Sequence, residues 1–306
     1  MRGRDLVSID DLSAEELSEV LDRAAALKER QRAGEATPVL AGKTLAMIFE
    51  KPSLRTRVTF EVGMRQLGGG AVNLAPADIQ LGVRESVPDV ARNLSRWVDG
   101  IMARTFAHQT VVDLAAAASV PVINGLSDWE HPCQTLADLL TVREHLDRLD
   151  GARIAWVGDG NNVLHSLLLA AGKLGISVAA ATPAGYAPAA DVVRRAQALA
   201  SRTGATITLM TDPMEAVRGA DIIYTDVWVS MGQEAERGQR LRDFAGYQLN
   251  AALLRAAEGR AKVMHCLPAH RGEEITDEVL DGPSSIVLDQ AENRLHAQKG
   301  LLGLIL

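Results

Sequence analysis

Apolar and polar positions alternate along the chain in a way that predicts strands separated by helices. The first helix begins at Ser13, which forms a capping-box pattern with Glu16, and apolar residues follow at helical spacing to the region of Gly34. Short apolar runs of strand length then recur through the first half. The four strands predicted there are 44–50, 71–75, 100–104 and 120–125.

The second half repeats this alternation without repeating the sequence. The strands predicted there are 153–159, 176–182, 205–210, 221–228, 262–267 and 285–290. The segment 291–306 has a helical pattern with a strongly apolar end and is predicted to be the final helix. Strands that alternate with helices imply right-handed crossovers and parallel sheets. The sequence therefore predicts an α/β fold with two open parallel-sheet domains.

The boundary between these domains is expected in the charged, glycine-containing stretch 143–153. We place the first domain at 1–145 and the second at 146–290, with the helix at 291–306 joining the first. A chain of 306 residues has room for two such domains of about 150 residues each.

Composition and charge exclude several classes of protein. The chain is 47% hydrophobic and 23% charged, as in ordinary globular proteins, and its net charge of -7 disfavours a nucleic acid partner while leaving room for a local anion site. No run approaches the length of a membrane helix, and the N-terminal residues lack the apolar core of a secretory signal. With only Cys133 and Cys266, a disulfide scaffold is excluded and a cytoplasmic location is expected.

Ligands of open parallel sheets bind beyond the carboxyl ends of strands, so polar residues that follow apolar runs are candidates for a site. After the strand at 44–50, Pro52 turns the chain and Ser53 is a good N-cap for the next helix. Arg55 and Arg57 add two guanidinium groups at the positive end of that helix, which favours a bound phosphate. The alternative is a capped helix with solvated arginines.

A second candidate is the start of the helix after the strand at 120–125. Pro132 fits the first helical position, which leaves His131 at the cap and Gln134 in the first turn. The helix end would lower the pKa of His131, and a neutral imidazole can donate a hydrogen bond to a carbonyl oxygen. The alternative is a histidine that only caps the helix. Arg104, at the end of a predicted strand, is a weaker candidate because a lone arginine there is more often a surface residue.

The run "VGDGNNVLHS" (157–166) is similar to a dinucleotide-binding fingerprint but fails it twice. Val163 stands where the third glycine belongs, and the next strand, ending near Thr182, offers no acid for a ribose. No nicotinamide cofactor is therefore expected. Asn161 and Asn162 remain as uncharged groups at a helix start that could hold a carboxylate.

Two further loops follow strands late in the chain. Asp226 is placed to receive an ammonium group, and Ser230 and Met231 follow it. The run "MHCLPAHRG" (264–272) contains two histidines and Cys266, but the spacing is not that of a usual zinc site, so no metal is expected. The alternative for Cys266 is an inert core sulfur.

Together these stretches resemble the ornithine carbamoyltransferases of the aspartate/ornithine carbamoyltransferase superfamily, over almost the whole chain. The matching runs are "SLRTR" at 53, "HPCQ" at 131, "GDGNN" at 158, "DVWVSMG" at 226, "HCLPAHRG" at 265 and "AENRLH" at 291. The resemblance implies two α/β domains with an active-site cleft between them, a homotrimer with active sites at subunit interfaces, and no cofactor. It also implies transfer of the carbamoyl group of carbamoyl phosphate to the side-chain amine of L-ornithine, giving L-citrulline and phosphate.

The resemblance further implies a role for particular residues. Those matched to carbamoyl phosphate binding are Ser53, Leu54, Arg55, Thr56, Arg57, Gln80, Arg104, His131, Gln134, Cys266, Leu267 and Arg294. Those matched to ornithine binding are Asn162, Asp226, Ser230 and Met231. Those expected to take part in the chemistry are Arg104, His131, Asp226 and Cys266. Leu54 replaces a threonine that many members carry, and Gln80 would reach into a neighbouring subunit's site.

Other substrates and a silent protein are the alternatives to this interpretation. An aspartate carbamoyltransferase would carry a lysine in the loop near residue 80, and no lysine lies between Lys51 and Lys173. Putrescine and N-acetylornithine are closer rivals, but Asn162 and Asp226 suit a substrate with a free carboxylate and ammonium group. A catalytically silent binding protein is disfavoured because Leu54 alone departs from the matched motifs.

Overall fold

The computed structural model describes residues 1–230, 232–257 and 261–306. It divides into two compact units, the first formed by Met1–Leu140 with Glu292–Leu306 and the second by Thr141–Ala291. Each unit has one parallel sheet and a buried apolar cluster of its own. The predicted fold class, an α/β protein with two open parallel sheets, is confirmed.

In the first unit, four strands alternate with helices. The elements are α1 Ala14–Arg32, β1 Thr44–Phe49, α2 Leu54–Gln66, β2 Gly70–Leu74, α3 Pro76–Ile79, α4 Val87–Leu94, β3 Gly100–Arg104, α5 His108–Ala117, β4 Val122–Leu126 and α6 Pro132–Leu146. The strands are all parallel and lie in the order β2-β1-β3-β4. The capping box predicted at Ser13 and Glu16 is present, and α1 ends at Arg32, before Gly34 with a φ of 74°.

The second unit contains five parallel strands in the order β7-β6-β5-β8-β9. Its elements are β5 Arg153–Val157, α7 Asn162–Lys173, β6 Ser177–Ala181, α8 Ala190–Thr203, β7 Ile207–Met210, α9 Pro213–Ala216, β8 Ile222–Thr225, α10 Arg237–Asp243, α11 Ala251–Ala256, β9 Lys262–His265, α12 Asp277–Leu280 and α13 Val287–Ile305. From Glu292 onward, α13 belongs to the first unit. None of the helices in the described part of the chain is long and apolar enough to cross a membrane.

The strand predicted at 285–290 is wrong. Only Ser285 pairs with a strand residue, in an isolated bridge to Val263, and α13 begins at Val287. Between 286 and 294 the buried side chains are Ile286, Val287, Gln290, Asn293 and Arg294. This spacing of three and four residues is helical, whereas Leu288 between them is 80% exposed. The run at 285–290 has the apolar, β-branched composition of a strand but does not have the two-residue periodicity of one.

Both sheets reverse their strand order beside the first strand of the unit, between β1 and β3 and between β5 and β8. The loops after two such strands leave in opposite directions, which opens a crevice at the carboxyl end of the sheet. In the first unit, Ser53 follows β1 and Arg104 is the last residue of β3. In the second unit, Asn161 follows β5 and Asp226 follows β8. The topology therefore gathers the candidate residues of each unit at one point of its sheet.

Candidate active site

Ser53 is the N-cap of α2, as predicted. Its backbone is extended, with a φ of -156°, and its hydroxyl oxygen accepts a hydrogen bond of 3.2 Å from the Thr56 N–H. The following side chain, Leu54, is 74% exposed, while Arg55 is half-buried and Arg57 is exposed. The first turn of a 13-residue helix and two guanidinium groups thus share one short segment.

Thr56 joins two distant arginines in the first unit. Its hydroxyl oxygen, almost fully buried, accepts a hydrogen bond of 3.0 Å from Nη2 of Arg294 and a longer one of 3.5 Å from Nη1 of Arg104. Nη1 of Arg294 also donates to Oε1 of Gln134 at 2.7 Å. Four of the predicted residues, from α2, β3, α6 and α13, therefore form one buried polar cluster. These contacts are to neutral acceptors, so they leave the positive charge of the cluster in place.

Pro132 begins α6, as predicted, and the carbonyl oxygen of His131 accepts hydrogen bonds from the N–H groups of Gln134 and Thr135 at 3.0 and 3.2 Å. The pKa of His131 lies well below its ordinary value, first because the ring is buried and then because of nearby cations. These cations are Arg294, Arg104, Lys51 and Arg55. The direction is the one expected from the sequence, but burial and cations cause it. The imidazole is therefore neutral at neutral pH.

The orientation of the Gln134 amide is fixed from the opposite side. Its Nε2 donates to Oδ1 of Asp138 at 2.7 Å, and both side chains are buried. The amide oxygen is thereby turned toward Arg294. Asp138, one helical turn further along α6, follows the "HPCQ" run and was not selected as a site residue from the sequence.

Gln80 does not join this cluster. It is exposed, ends α3 in a left-handed conformation with a φ of 44°, and its side chain makes no hydrogen bond to the described residues. Arg57, also exposed, makes none to them either. Within a single chain these two predicted residues stand apart from the buried cluster.

In the second unit, Asp226 directly follows β8 and is only 5% exposed. Its Oδ1 accepts a hydrogen bond of 2.8 Å from Sγ of Cys266, and its Oδ2 accepts one of 2.7 Å from Nδ2 of Asn161. Asn161 is the N-cap of α7, and its side-chain oxygen accepts from the N–H groups of Val163 and Leu164. Asp226 is thus held on both oxygens by groups that are themselves fixed.

Asn161 and Asn162 were both candidates for holding a carboxylate, and the resemblance matched only Asn162 to ornithine binding. Asn162 is the first residue of α7, whereas the residue before it contacts Asp226. Asn161 is the N-cap of α7, and asparagine is among the preferred residues there. Ser230 is half-buried, and its N–H donates to Oε1 of Gln233 at 3.0 Å. Met231 lies outside the described residues.

Leu267 and its neighbours follow β9. Leu267 has a left-handed backbone with a φ of 58°, and its N–H donates to Nδ1 of His265 at 2.9 Å. Nε2 of His265 in turn lies 3.1 Å from Oε1 of the buried Glu274. Because Nδ1 accepts a hydrogen bond, the ring proton is on Nε2, which donates a hydrogen bond to the carboxylate of Glu274.

The contacts of the His265 ring determine whether a metal ion fits beside Asp226 and Cys266. The donor atoms of Asp226, His265 and Cys266 lie within 4.8 Å of one another, close enough for one ion. Both ring nitrogens of His265 are already engaged, by Leu267 and Glu274. Two ligands then remain, fewer than the three or four protein ligands typical of zinc. The donor set does not fit a zinc site.

Arg240 ties the loop after β5 to the loop after β8. It is 6% exposed, and its Nη1 donates to Oδ2 of Asp159 at 3.0 Å and to the carbonyl oxygen of Trp228 at 2.8 Å. Its guanidinium carbon also lies 4.9 Å from the centre of the Tyr186 ring. Burial raises the pKa of Asp159 to about 6, and Arg240 opposes that shift. Arg240 was missed because α10 carries no recognisable motif.

The second glycine of "GDGNN", Gly160, serves packing. A Cβ on Gly160 would lie 2.2 Å from the backbone nitrogen of Pro188 and 2.4 Å from the carbonyl carbon of Ala187. Val163, where a dinucleotide fingerprint has its third glycine, is buried. Close backbone packing explains the glycine that suggested a nucleotide.

Comparison with known proteins covers the whole chain. Residues 4–144 match the family model for the carbamoyl-P binding domain of aspartate/ornithine carbamoyltransferase, and residues 150–305 match the model for its Asp/Orn binding domain. The ornithine carbamoyltransferase of Carboxydothermus hydrogenoformans is 57% identical over 305 residues, which span 100% of this chain and 98% of that protein. That of Thermococcus kodakarensis is 53% identical over 306 residues, 100% of this chain and 97% of that one.

Solved structures give the same result. The ornithine carbamoyltransferase of Pyrococcus furiosus aligns with a TM-score of 0.97 at 53% identity, covering 99% of this chain and 97% of that one. The enzyme of Gloeobacter violaceus aligns with a TM-score of 0.89 at 50% identity, covering 100% and 99%. With both family models matched and full-length relatives above half identity, the chain belongs to the aspartate/ornithine carbamoyltransferase family.

Proposed function

We propose that this protein is an ornithine carbamoyltransferase, which transfers the carbamoyl group of carbamoyl phosphate to the side-chain amine of L-ornithine and releases L-citrulline and phosphate. The observation that carries the proposal is full-length identity of 53 to 57% to relatives of that name. Relatives named anabolic, from Pyrococcus furiosus and Campylobacter jejuni, support a role in arginine synthesis. We place the reaction in the cytoplasm.

The phosphate group would bind at the start of α2. Free N–H groups of the first turn, the helix dipole and the guanidinium groups of Arg55 and Arg57 all attract a dianion there. Leu54 would take part through its backbone N–H alone. We assign residues 1–145 and 291–306 to the carbamoyl phosphate-binding domain and residues 146–290 to the ornithine-binding domain.

The carbonyl oxygen of the carbamoyl group gains negative charge when the amine attacks. Arg104, Thr56 and the neutral ring of His131 would donate hydrogen bonds to it, and losing one such donor typically costs about 3 to 4 kcal/mol of barrier. Gln134 and the loop at Cys266 and Leu267 would hold the carbamoyl group. The tetrahedral intermediate then collapses, the carbon–oxygen bond to phosphate breaks, and phosphate leaves.

The attacking amine must lose its proton, because an alkyl ammonium group has a pKa near 10.4. We place Asp226 and Cys266 beside this nitrogen. Two fixed donors hold the carboxylate of Asp226, which leaves its other lone pairs for the substrate. Asn162, Ser230 and Met231 would bind the α-carboxylate and α-ammonium groups of ornithine.

We further propose a homotrimer with active sites at subunit interfaces. The exposed apolar side chains of Leu54, Val58 and Val72, at 74%, 46% and 48%, support an interface beside the phosphate loop. The exposed Gln80 would enter the site of a neighbouring copy. Sedimentation equilibrium tests this, with three times the chain mass of 32.7 kDa expected.

Citrulline formation tests the reaction. With carbamoyl phosphate, we expect release of product from L-ornithine at least about a hundredfold faster than from aspartate, putrescine or N-acetylornithine, since those lack groups that the site binds. Equal rates across the four amines, or none, would overturn the proposal. Arg55→Ala tests the phosphate loop: we expect loss of turnover and of calorimetric carbamoyl phosphate binding with an unchanged circular dichroism spectrum.

A further inference from the structure

Lys51 is a buried cation that the proposed mechanism leaves unused. It lies between β1 and Pro52, is 7% exposed, and its Nζ lies 4.7 Å from the centre of the Phe106 ring. Among the residues that the structure describes, no carboxylate forms an ion pair with it. Lysine is seldom this buried without a charged partner, and no side-chain amide of the described residues accepts a hydrogen bond from Lys51 in place of one, so an anion would satisfy the ammonium group.

The side chain lines a cavity of about 530 Å³ within the first unit. Ser53, Leu54 and Arg57 of the phosphate loop line the same cavity, and none of the acidic residues that the structure describes does. Lys51 and Arg57 therefore make its charge positive. The cavity also adjoins the first turn of α2, where a phosphate gains from free N–H groups.

The surroundings hold Lys51 in this place. Glu50 accepts a hydrogen bond of 2.6 Å from the Phe106 N–H, which fixes the loop that carries the ring. Burial and Arg104 lower the pKa of Lys51, while Asp128 and Glu50 oppose the shift. Lys51 in turn helps to lower the pKa of His131. A dianion bound in the cavity would relieve the repulsion among these cations.

We propose that the ammonium group of Lys51 binds the phosphate group of carbamoyl phosphate and the inorganic phosphate that is released, as an additional cation beside the loop at 53–57. The ring of Phe106 holds the ammonium group in position. This inference rests on the proposed function of that loop. The competing interpretation is a lysine that only packs on an aromatic ring.

Affinity for inorganic phosphate distinguishes the two. We expect Lys51→Met to weaken phosphate binding in calorimetry, and to raise the KM for carbamoyl phosphate, by about tenfold or more, as for the loss of a charge-assisted hydrogen bond. The KM for ornithine should stay within about twofold. Lys43→Met is the matched control, since Lys43 precedes the other end of β1, is one-third exposed and pairs with Asp99. Unchanged phosphate affinity in Lys51→Met would refute the inference.

A second measurement does not depend on the methionine variant folding. Above pH about 8 inorganic phosphate is a dianion and His131 is neutral. The charge of the phosphate favours the protonated form of Lys51, so binding measured at rising pH, up to the titration of lysine, should make Lys51 take up a proton. Calorimetry in buffers of different ionisation enthalpy should therefore show proton uptake by the wild type. Lys51→Arg keeps the charge but cannot titrate, so it should bind phosphate without uptake.

The outcomes separate this inference from the proposed function. Suppose that the wild type forms citrulline but binds phosphate without proton uptake, and that Lys51→Met binds phosphate with the same affinity. This outcome would refute the role of Lys51 and leave the proposed function standing. Wild type that forms no citrulline but loses phosphate affinity on Lys51→Met would overturn the reaction and support the anion site. Wild type that binds no phosphate at all would overturn the inference.

Discussion

Lys299 in α13 has a buried ammonium group whose described hydrogen-bond partners are uncharged. Its side chain is 1% exposed, and its Nζ donates to Oε1 of Gln66 at 3.0 Å and to Oε1 of Gln31 at 2.5 Å. Burial lowers the pKa of Lys299 from 10.5 to about 8. The folded protein therefore carries this charge at a cost near neutral pH.

The size and sign of that cost follow from linkage. Lowering the pKa from 10.5 to about 8 corresponds to about 3 kcal/mol, at about 1.4 kcal/mol for each tenfold change in proton affinity. Below pH 8 the lysine is protonated in both states and the full cost is present. Between pH 8 and 10.5 the unfolded chain binds more protons than the folded one, so stability rises with pH. Above that range the cost disappears.

We expect Lys299→Met to remove this pH dependence. The free energy of unfolding of the variant relative to wild type should fall by about 3 kcal/mol between pH 7 and pH 10.5. The two lost hydrogen bonds affect the stability of the variant at both pH values and do not enter this difference. Urea unfolding followed by circular dichroism at half-unit pH steps measures it. Lys43→Met, at a partly exposed lysine, is the control. A curve for Lys299→Met that runs parallel to wild type would show that burial does not shift the pKa of Lys299.

Three further predictions concern the site. Arg240→Met should raise the KM for ornithine about tenfold and leave the KM for carbamoyl phosphate unchanged. The reason is that the carbonyl of Trp228, in the loop that carries Asp226 and Ser230, loses its buried donor. Equal changes in both KM values would contradict this. Asn161→Ala should lower kcat/KM for ornithine up to about tenfold, since Asp226 loses one of its two fixed donors, and an unchanged value in steady-state assays would exclude the contact. Thr56→Val should raise the KM for carbamoyl phosphate several-fold by removing the acceptor of two guanidinium groups, while Thr56→Ser should restore it.

Local signals explain what could be predicted from the sequence. The caps at Ser13 and Ser53 and the start of α6 at Pro132 depend on neighbouring residues, and all three are where the pattern placed them. Strands β1 and β3 were found because parallel strands are apolar on both faces. Asp226 follows its strand, as predicted, although the predicted strand at 221–228 ends earlier, at Thr225.

What could not be predicted depends on contacts between distant residues. Arg294 reaches Thr56 across 238 positions of sequence, so only family resemblance suggested it. Arg240 lies on α10, a helix without a recognised motif, and Asp138 lies on α6 beyond the end of the "HPCQ" run. The helix at 287–305 was misread at its start because its first residues are apolar and β-branched, and its period becomes visible only over two turns.

Gly160 has a consequence for how such chains are recognised. The backbone at 187–188 closes this position to any side chain, whatever ligand the protein binds. A substitution at a ligand contact leaves the fold in place, whereas a side chain at Gly160 would not fit, so this glycine should persist in relatives that have lost the reaction. A genome search for lost activity should therefore score Asp226 and Arg55, and treat the glycine as a marker of the fold alone.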